Sequence, residues 1–192
     1  MKLSSRTTSF ILFSLALLVV MSGPLRALVA YALDTENTHA SQIILIPLIS
    51  GALIYLNRKN IFRNVHYSIL PGVLLWILGA ALFVAAATLG ASLEKGNYLA
   101  LMTSSTVVLW LGGFLFFYGS AAFTTAIFPL AFLIFFIPIP SSILDKTIDF
   151  LRRGSADISY LMLKLSGTPI LRDGFVFTMP GLDIEVAPQC SG

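Results

Sequence analysis

"SILPGVLLWILGAALFVAAATLGA", residues 68–91, runs for 24 residues without a charged side chain. Wound as an α-helix at 1.5 Å per residue it reaches roughly 36 Å, enough to cross a hydrocarbon layer about 30 Å thick. Four more apolar runs flank it. "SFILFSLALLVVMSGPLRALVAYAL" covers residues 9–33 and is interrupted by Pro24 and Arg26, which predicts one kinked helix. "SQIILIPLISGALIYL" covers residues 41–56, carries Pro47 and ends at Arg58, Lys59 and Arg63. Beyond the central run, "YLALMTSSTVVLWLGGFLFFYG" covers 98–119, and "AAFTTAIFPLAFLIFFIPIP" starts at Ala121 and stops at Pro138 and Pro140.

Composition agrees with this pattern. Hydrophobic residues make up 57% and charged residues 11% of the 192-residue chain, against about 25% charged in soluble domains. A soluble core of this length could not absorb so much apolar surface. The first run differs from a signal peptide in its longer apolar centre, and "VVMSG" is a poor cleavage site, so a retained span is the expectation. The formal net charge of +3 comes from a few Lys and Arg residues between apolar runs. That suits topology signals; no basic stripe interleaved with aromatics points to nucleic acid.

Lys and Arg in short loops stay cytoplasmic. Lys2 and Arg6 precede the first run and Arg58, Lys59 and Arg63 follow the second, whereas Asp34, Glu36 and the pair Glu94 and Lys95 occupy the alternate loops. Five spans from a cytoplasmic start put everything after Pro140 outside. The predicted fold is therefore an all-α multi-span membrane protein with about five transmembrane helices. Residues 1–137 form the helix bundle, and residues 138–192 form an extracytoplasmic amphipathic helix, a short hairpin and the start of a segment carrying Cys190.

That last region holds five of the twelve Lys and Arg and six of the nine acidic residues. In "SSILDKTIDFLRRGSADISYLMLKLSG" the apolar positions recur every three or four residues, which predicts an amphipathic helix lying in the membrane interface. Ser141 or Ser142 is the expected cap, with Gly167 and Pro169 ending the helix. "GFVFTMPGLDIEVAP" alternates apolar and polar positions about a Pro180–Gly181 turn, which predicts a hairpin. Arg172 and Asp173 read as a turn anchoring it. Arg152 and Arg153 read as facing water or headgroups, and Gly112 and Gly113 as a point of close helix approach.

Cys190 is the chain's one cysteine. It excludes an intrachain disulfide and a cysteine-rich metal site, and on composition alone it is a structural or idle thiol. Its surroundings carry more. "FPLAFLIFFIPIP" (128–140), "TPILRDGFVFTMPG" (168–181) and "LDIEVAPQCSG" (182–192) resemble the central region of the exosortase/archaeosortase family, and "THASQIILIPLISGALIYLNRK" with the first run resembles its N-terminal region. The resemblance implies a multi-span membrane cysteine protease or transpeptidase. Its partners would be membrane-anchored exported proteins bearing a C-terminal sorting signal: a motif such as Pro-Glu-Pro, a transmembrane helix and a basic tail. It also implies that Cys190 is the nucleophile and that an arginine and a histidine complete the site from spans downstream of the cysteine; no cofactor and no metal are expected. The sequence ends before any such span and is expected to be incomplete and inactive as given. Pro188 and Gln189 depart from the acidic and small residues that many members carry there.

A thiol with a pKa near 8.5 needs a nearby base or positive charge to act as a nucleophile near pH 7. His39 falls on the predicted outer side and His66 on the cytoplasmic side, so His39 and Arg172 are the candidates within reach of Cys190. A solvated loop histidine and an anchoring arginine are the more ordinary readings of these two. The competing class is a nonenzymatic membrane scaffold or transporter-like fragment. Transport calls for polar or ionisable groups within the spans, and apart from Arg26 they hold almost none.

Overall fold

The computed structural model describes residues 5–33, 43–167, 169–179 and 181–187. They belong to two compact units, residues 1–139 and 140–192.

Prolines set the helix starts of the first unit. Pro24, Pro47, Pro71 and Pro129 each occupy the third position of a helix: α2 (Ser22–Ala32), α3 (Leu45–Leu56), α5 (Ile69–Leu89) and α7 (Ile127–Phe132). The first four N–H groups of a helix have no acceptor within it, so a proline there gives up nothing. Its ring does exclude a helical carbonyl four residues earlier. For Pro24 that carbonyl is on Val20, the last residue of α1 (Ser5–Val20), and for Pro129 it is on Thr125, the last residue of α6 (Lys95–Thr125). The ladder resumes on either side of the first break, from Met21 N to Leu17 O at 2.9 Å and from Leu25 N to Met21 O at 3.0 Å. The expected kink in the first apolar run is a 69° bend between α1 and α2, located at Met21 rather than at the proline.

Two apolar clusters mark the ends of this unit. One gathers Ile61, Phe114, Tyr118, Ala122, Ala126 and Leu130, with Phe10 and Ile54 packed against it. The other gathers Leu28, Ala32, Ile43 and Leu99, with Tyr98 and Phe136 against it. Four stretches of chain carry residues of both clusters or packed against them: α1 with α2, Ile43 with α3, α6, and α7 with the 3-10 turn Leu133–Phe136. Two helical stretches, Ile69–Ser92 and Lys95–Thr125, are long and apolar enough to cross a membrane singly, or up to four if each bent pair counts as one span. The predicted second span contributes only the 12 residues of α3, about 18 Å of helix, and the short helix α4 (Arg58–Ile61) follows it.

Glycines bring α5 and α6 together. A Cβ on Gly112 would lie 2.7 Å from the Trp76 ring and 3.2 Å from the Gly72 carbonyl oxygen, so the expected close approach is present. Inside α6 the helix breaks at Gly119, with φ 87° and ψ 172°. The break frees carbonyls that would otherwise accept from the next turn. The preceding chain meets them: His66 N–H donates to Tyr118 O and Ser68 N–H to Phe116 O, both at 3.3 Å, while Ser120 N–H donates to Ser68 Oγ at 3.2 Å. In a low-dielectric layer such groups need partners.

The second unit is one helix and one small sheet. The amphipathic helix is α8, Ser141–Leu165. Its N-cap is Pro140, not Ser141 or Ser142, because the ring has no N–H to satisfy and φ −54°, ψ 133° already matches the extended entry of a cap. Gly167, at φ 78°, follows its C-terminus. Ile143, Phe150, Ile158, Leu161 and Leu165 form an exposed apolar stripe along it. The predicted hairpin is present as β2 (Val176–Met179) and β3 (Leu182–Glu185), with Met179 opposite Leu182 across the Pro180–Gly181 dipeptide. A third strand enlarges it. Arg172 and Asp173, expected in a turn, lie in β1 (Leu171–Asp173), which pairs antiparallel with β2. The turn falls two residues later, at Gly174 and Phe175. Gly174 has φ 60° and Phe175 does not have positive φ, the pattern of a two-residue type II′ hairpin loop.

Candidate functional site

Cys190 and His39 lie outside the described residues, and so do Pro188 and Gln189. The described chain reaches Ala187, and the residues fixing its course towards Cys190 belong to the second unit.

Val186 is held at both of its backbone groups. Its N–H donates to Phe175 O at 3.0 Å, and its carbonyl accepts from Arg152 Nε at 2.6 Å. The same guanidinium donates from Nη2 to Glu185 Oε1 at 3.0 Å and lies 3.9 Å from the centre of the Phe175 ring. One side chain on α8 therefore grips the end of β3 by a charged hydrogen bond, an ion pair and a cation–π contact. This corrects the expectation that Arg152 faces water or headgroups; its side chain is only 16% exposed. Arg153, one residue on and so about 100° around the helix, is exposed as expected.

Arg172 grips the other side of the sheet. Its Nη2 pairs with Asp157 Oδ1 at 2.7 Å, and its Nε donates to Gly174 O at 3.0 Å. Tyr160 stacks on Phe177 with ring centres 6.4 Å apart, and Phe177 is buried. Arg172 is thus an anchor, as its ordinary reading held, although from a strand and onto α8. Arg152, Ala156 and Tyr160 stand four residues apart on one line of α8, the line facing the sheet. That spacing was visible in the sequence and would have separated Arg152 from Arg153.

The other candidates fall in the first unit. His66 is exposed, its Nε2 lies 3.5 Å from Ser120 Oγ, and it sits at the end where Arg6 Nη1 donates to Val65 O at 3.0 Å. Lys95 belongs to the opposite end, 5.8 Å from the Tyr31 ring centre. Among the described residues no group of three or more His, Cys, Asp and Glu side chains is placed to hold a metal ion.

The two arginines are separable by experiment. Arg152→Ala removes the buried-side partner of a backbone carbonyl and is expected to cost about 2 kcal/mol. Glu185→Gln, at a position 60% exposed, is expected to cost under about 1 kcal/mol. Hydrogen exchange at the β3 amides checks this. Protection should drop in Arg152→Ala and hold in Glu185→Gln, and equal losses would mean that the ion pair rather than the carbonyl contact fixes the strand.

Comparison with known proteins adds a family match. Residues 34–192 match the family model described as Transmembrane exosortase (Exosortase_EpsH), a stretch that takes in most of the first unit and all of the second. A search of curated proteins and a search of solved structures each returned no match.

Proposed function

Since the chain belongs to the transmembrane exosortase family, we propose that it is a membrane cysteine protease or transpeptidase in which Cys190 attacks the C-terminal sorting signal of exported proteins. The observation that carries this reading is the family match running through "QCSG" at residues 189–192. The Cys190 thiolate adds to the carbonyl carbon of the scissile peptide. The C–N bond then breaks, the amine of the departing tail takes up the thiol proton, and a thioester remains. A second nucleophile resolves it, returning the proton to sulfur.

Substrates anchored by their own helix would present the scissile bond at a fixed depth, and tethering then supplies orientation that a soluble protease must obtain from its cleft. The exposed apolar stripe of α8 suits a helix lying in the interface at that depth. The location we assign is the inner membrane with Cys190 on the extracytoplasmic side. Arg6, Arg58, Lys59 and Arg63 support it, because Arg6 and the 63–67 segment meet at one end of the first unit. The last pass leaves by the end that holds Phe136, so the positive-inside rule puts the exit outside. Residues 1–137 are then the spanning bundle and 138–192 the outer segment.

Expression from the native locus beside an exported reporter bearing a Pro-Glu-Pro motif, a helix and a basic tail tests the proposal. A reporter shortened by its tail is the expected result, with Cys190 labelled by a membrane-impermeant maleimide in cells whose inner membrane is intact. An uncut reporter would remove the assigned activity, and labelling only after the inner membrane is breached would reverse the orientation.

A further inference from the structure

Three kinds of side chain share the circumference of α8. At about 100° per residue, the sheet-facing line of Arg152, Ala156 and Tyr160 lies nearly opposite the stripe of Ile143, Phe150, Ile158, Leu161 and Leu165, each more than half exposed. One border of the stripe is basic. Lys146, Arg153 and Lys164 fall within about 20° of one another, between the stripe and the sheet-facing line. The other border carries Ser155 and Ser159 and no charge. Asp157, also on the basic border, is taken by Arg172 at 2.7 Å. The two ion pairs among the described residues use Arg152 and Arg172, so Lys146, Arg153 and Lys164 have no carboxylate partner there.

Composition, position and charge narrow what covers the stripe. Seven of the 25 residues of α8 are charged, too many for a helix that spans hydrocarbon, yet one whole side is apolar. That is the makeup of a helix lying in the plane of a bilayer surface. The last pass ends at Phe136 and α8 starts at Ser141. The chain between them bridges at most about 18 Å, so the helix begins beside the surface that the chain has just left. Unpaired cations along one border of an apolar face fit phosphates standing beside acyl chains. We propose that α8 lies in the bilayer surface with its stripe among the acyl chains, Lys146, Arg153 and Lys164 on the phosphates of anionic lipids, and the sheet on its aqueous side. This deepens the reading above and rests on its membrane spans, not on the chemistry of Cys190. The sheet, whose last strand leads towards Cys190, is then held about one helix diameter, roughly 10 Å, clear of the acyl chains, which sets the height at which a tethered substrate is met.

Gly154 supplies the test. It falls within the stripe, and a Cβ built on it meets nothing within 4 Å, so Gly154→Cys places a thiol there without displacing a neighbour. Asp183 is its counterpart. Phe177, which stacks on Tyr160 of α8, pairs with Ile184, and the next pair, Thr178 with Asp183, faces the other way. In a Cys190→Ser background, Gly154→Cys or Asp183→Cys is labelled with bimane. The full chain is reconstituted in equimolar phosphatidylglycerol and phosphatidylcholine, with bromine on the acyl chains of one lipid or the other. Bromine is expected to quench the label at 154 and not at 183. Brominated phosphatidylglycerol should quench with an association constant about fivefold larger, the effect of roughly one cation near each phosphate. Lys146→Gln with Arg153→Gln and Lys164→Gln keeps the quenching and loses the preference. No quenching at 154, or equal quenching at 154 and 183, overturns the proposal. Equal quenching by the two lipids without the glutamine substitutions overturns its anionic part. A label at 154 that is shielded from bromine and cross-links to a second copy overturns it in favour of a dimer. No cleavage is measured, so an uncut reporter leaves the proposal standing, and its failure leaves the Cys190 chemistry standing.

Discussion

Cys190→Ala is expected to abolish tail removal, lowering the rate by about four orders of magnitude or more, because the residues of a nucleophilic site act as a unit and loss of the nucleophile removes nearly all of its effect. Cys190→Ser should fall almost as far. A hydroxyl is much harder to ionise than a thiol, and a site arranged to stabilise a thiolate does not supply the difference. Membrane insertion should be unaffected in both variants, since exchanging one small side chain leaves every apolar run of the chain intact. Pulse-labelling of a tailed reporter measures the rate, and carbonate extraction reports insertion. Appreciable processing by either variant would mean that another group attacks the substrate and that Cys190 is the idle thiol its composition alone suggested.

Gly119→Ala should be the most damaging single-methyl change in the first unit. At φ 87° and ψ 172° the backbone lies in a region that essentially only glycine occupies, and holding another residue there costs roughly 1–3 kcal/mol. The added Cβ would also lie 2.5 Å from the His66 carbonyl oxygen, a backbone atom that cannot swing aside. Moving it would break the bonds by which His66 and Ser68 satisfy Tyr118 and Phe116. The combined cost should exceed about 3 kcal/mol, among the larger effects of a single substitution. Thermal unfolding in micelles would show it as a lowered midpoint against Gly51→Ala, where a Cβ meets nothing within 4 Å. Equal midpoints would mean that the break at Gly119 is not held by its contacts.

The sequence made some of this legible for local reasons. A proline forbids one hydrogen bond at a known spacing, so the breaks before Pro24 and Pro129 are written in the chain, although the bend appears where the lost carbonyl is and not where the ring is. The 3.6-residue period of α8 and the Pro180–Gly181 dipeptide were equally local. Strand β1 was hidden because three residues are too few to show alternation, and its position depends on Arg172 meeting Asp157 from another element. The same holds for His66 and Ser68 against α6, a pairing some fifty residues apart in the chain. At the site, the assignment of Cys190 rests on its motif and the family match, while Arg152 became important only once β3 was seen to end on it.

The proline-started helices also divide the first unit by stiffness. α5 and α6 meet at glycines whose backbones are in van der Waals contact with the neighbouring helix, an arrangement that cannot shear without collision. The legs built from α1 with α2 and from α6 with α7 each lack a rung of the hydrogen-bond ladder at a proline, so each is two rods on a joint rather than one. Both joints border one apolar cavity of about 380 Å³, through Leu25 on the first leg and Leu133 just beyond α7 on the second. The unit thus sets one rigid helix contact against two jointed legs.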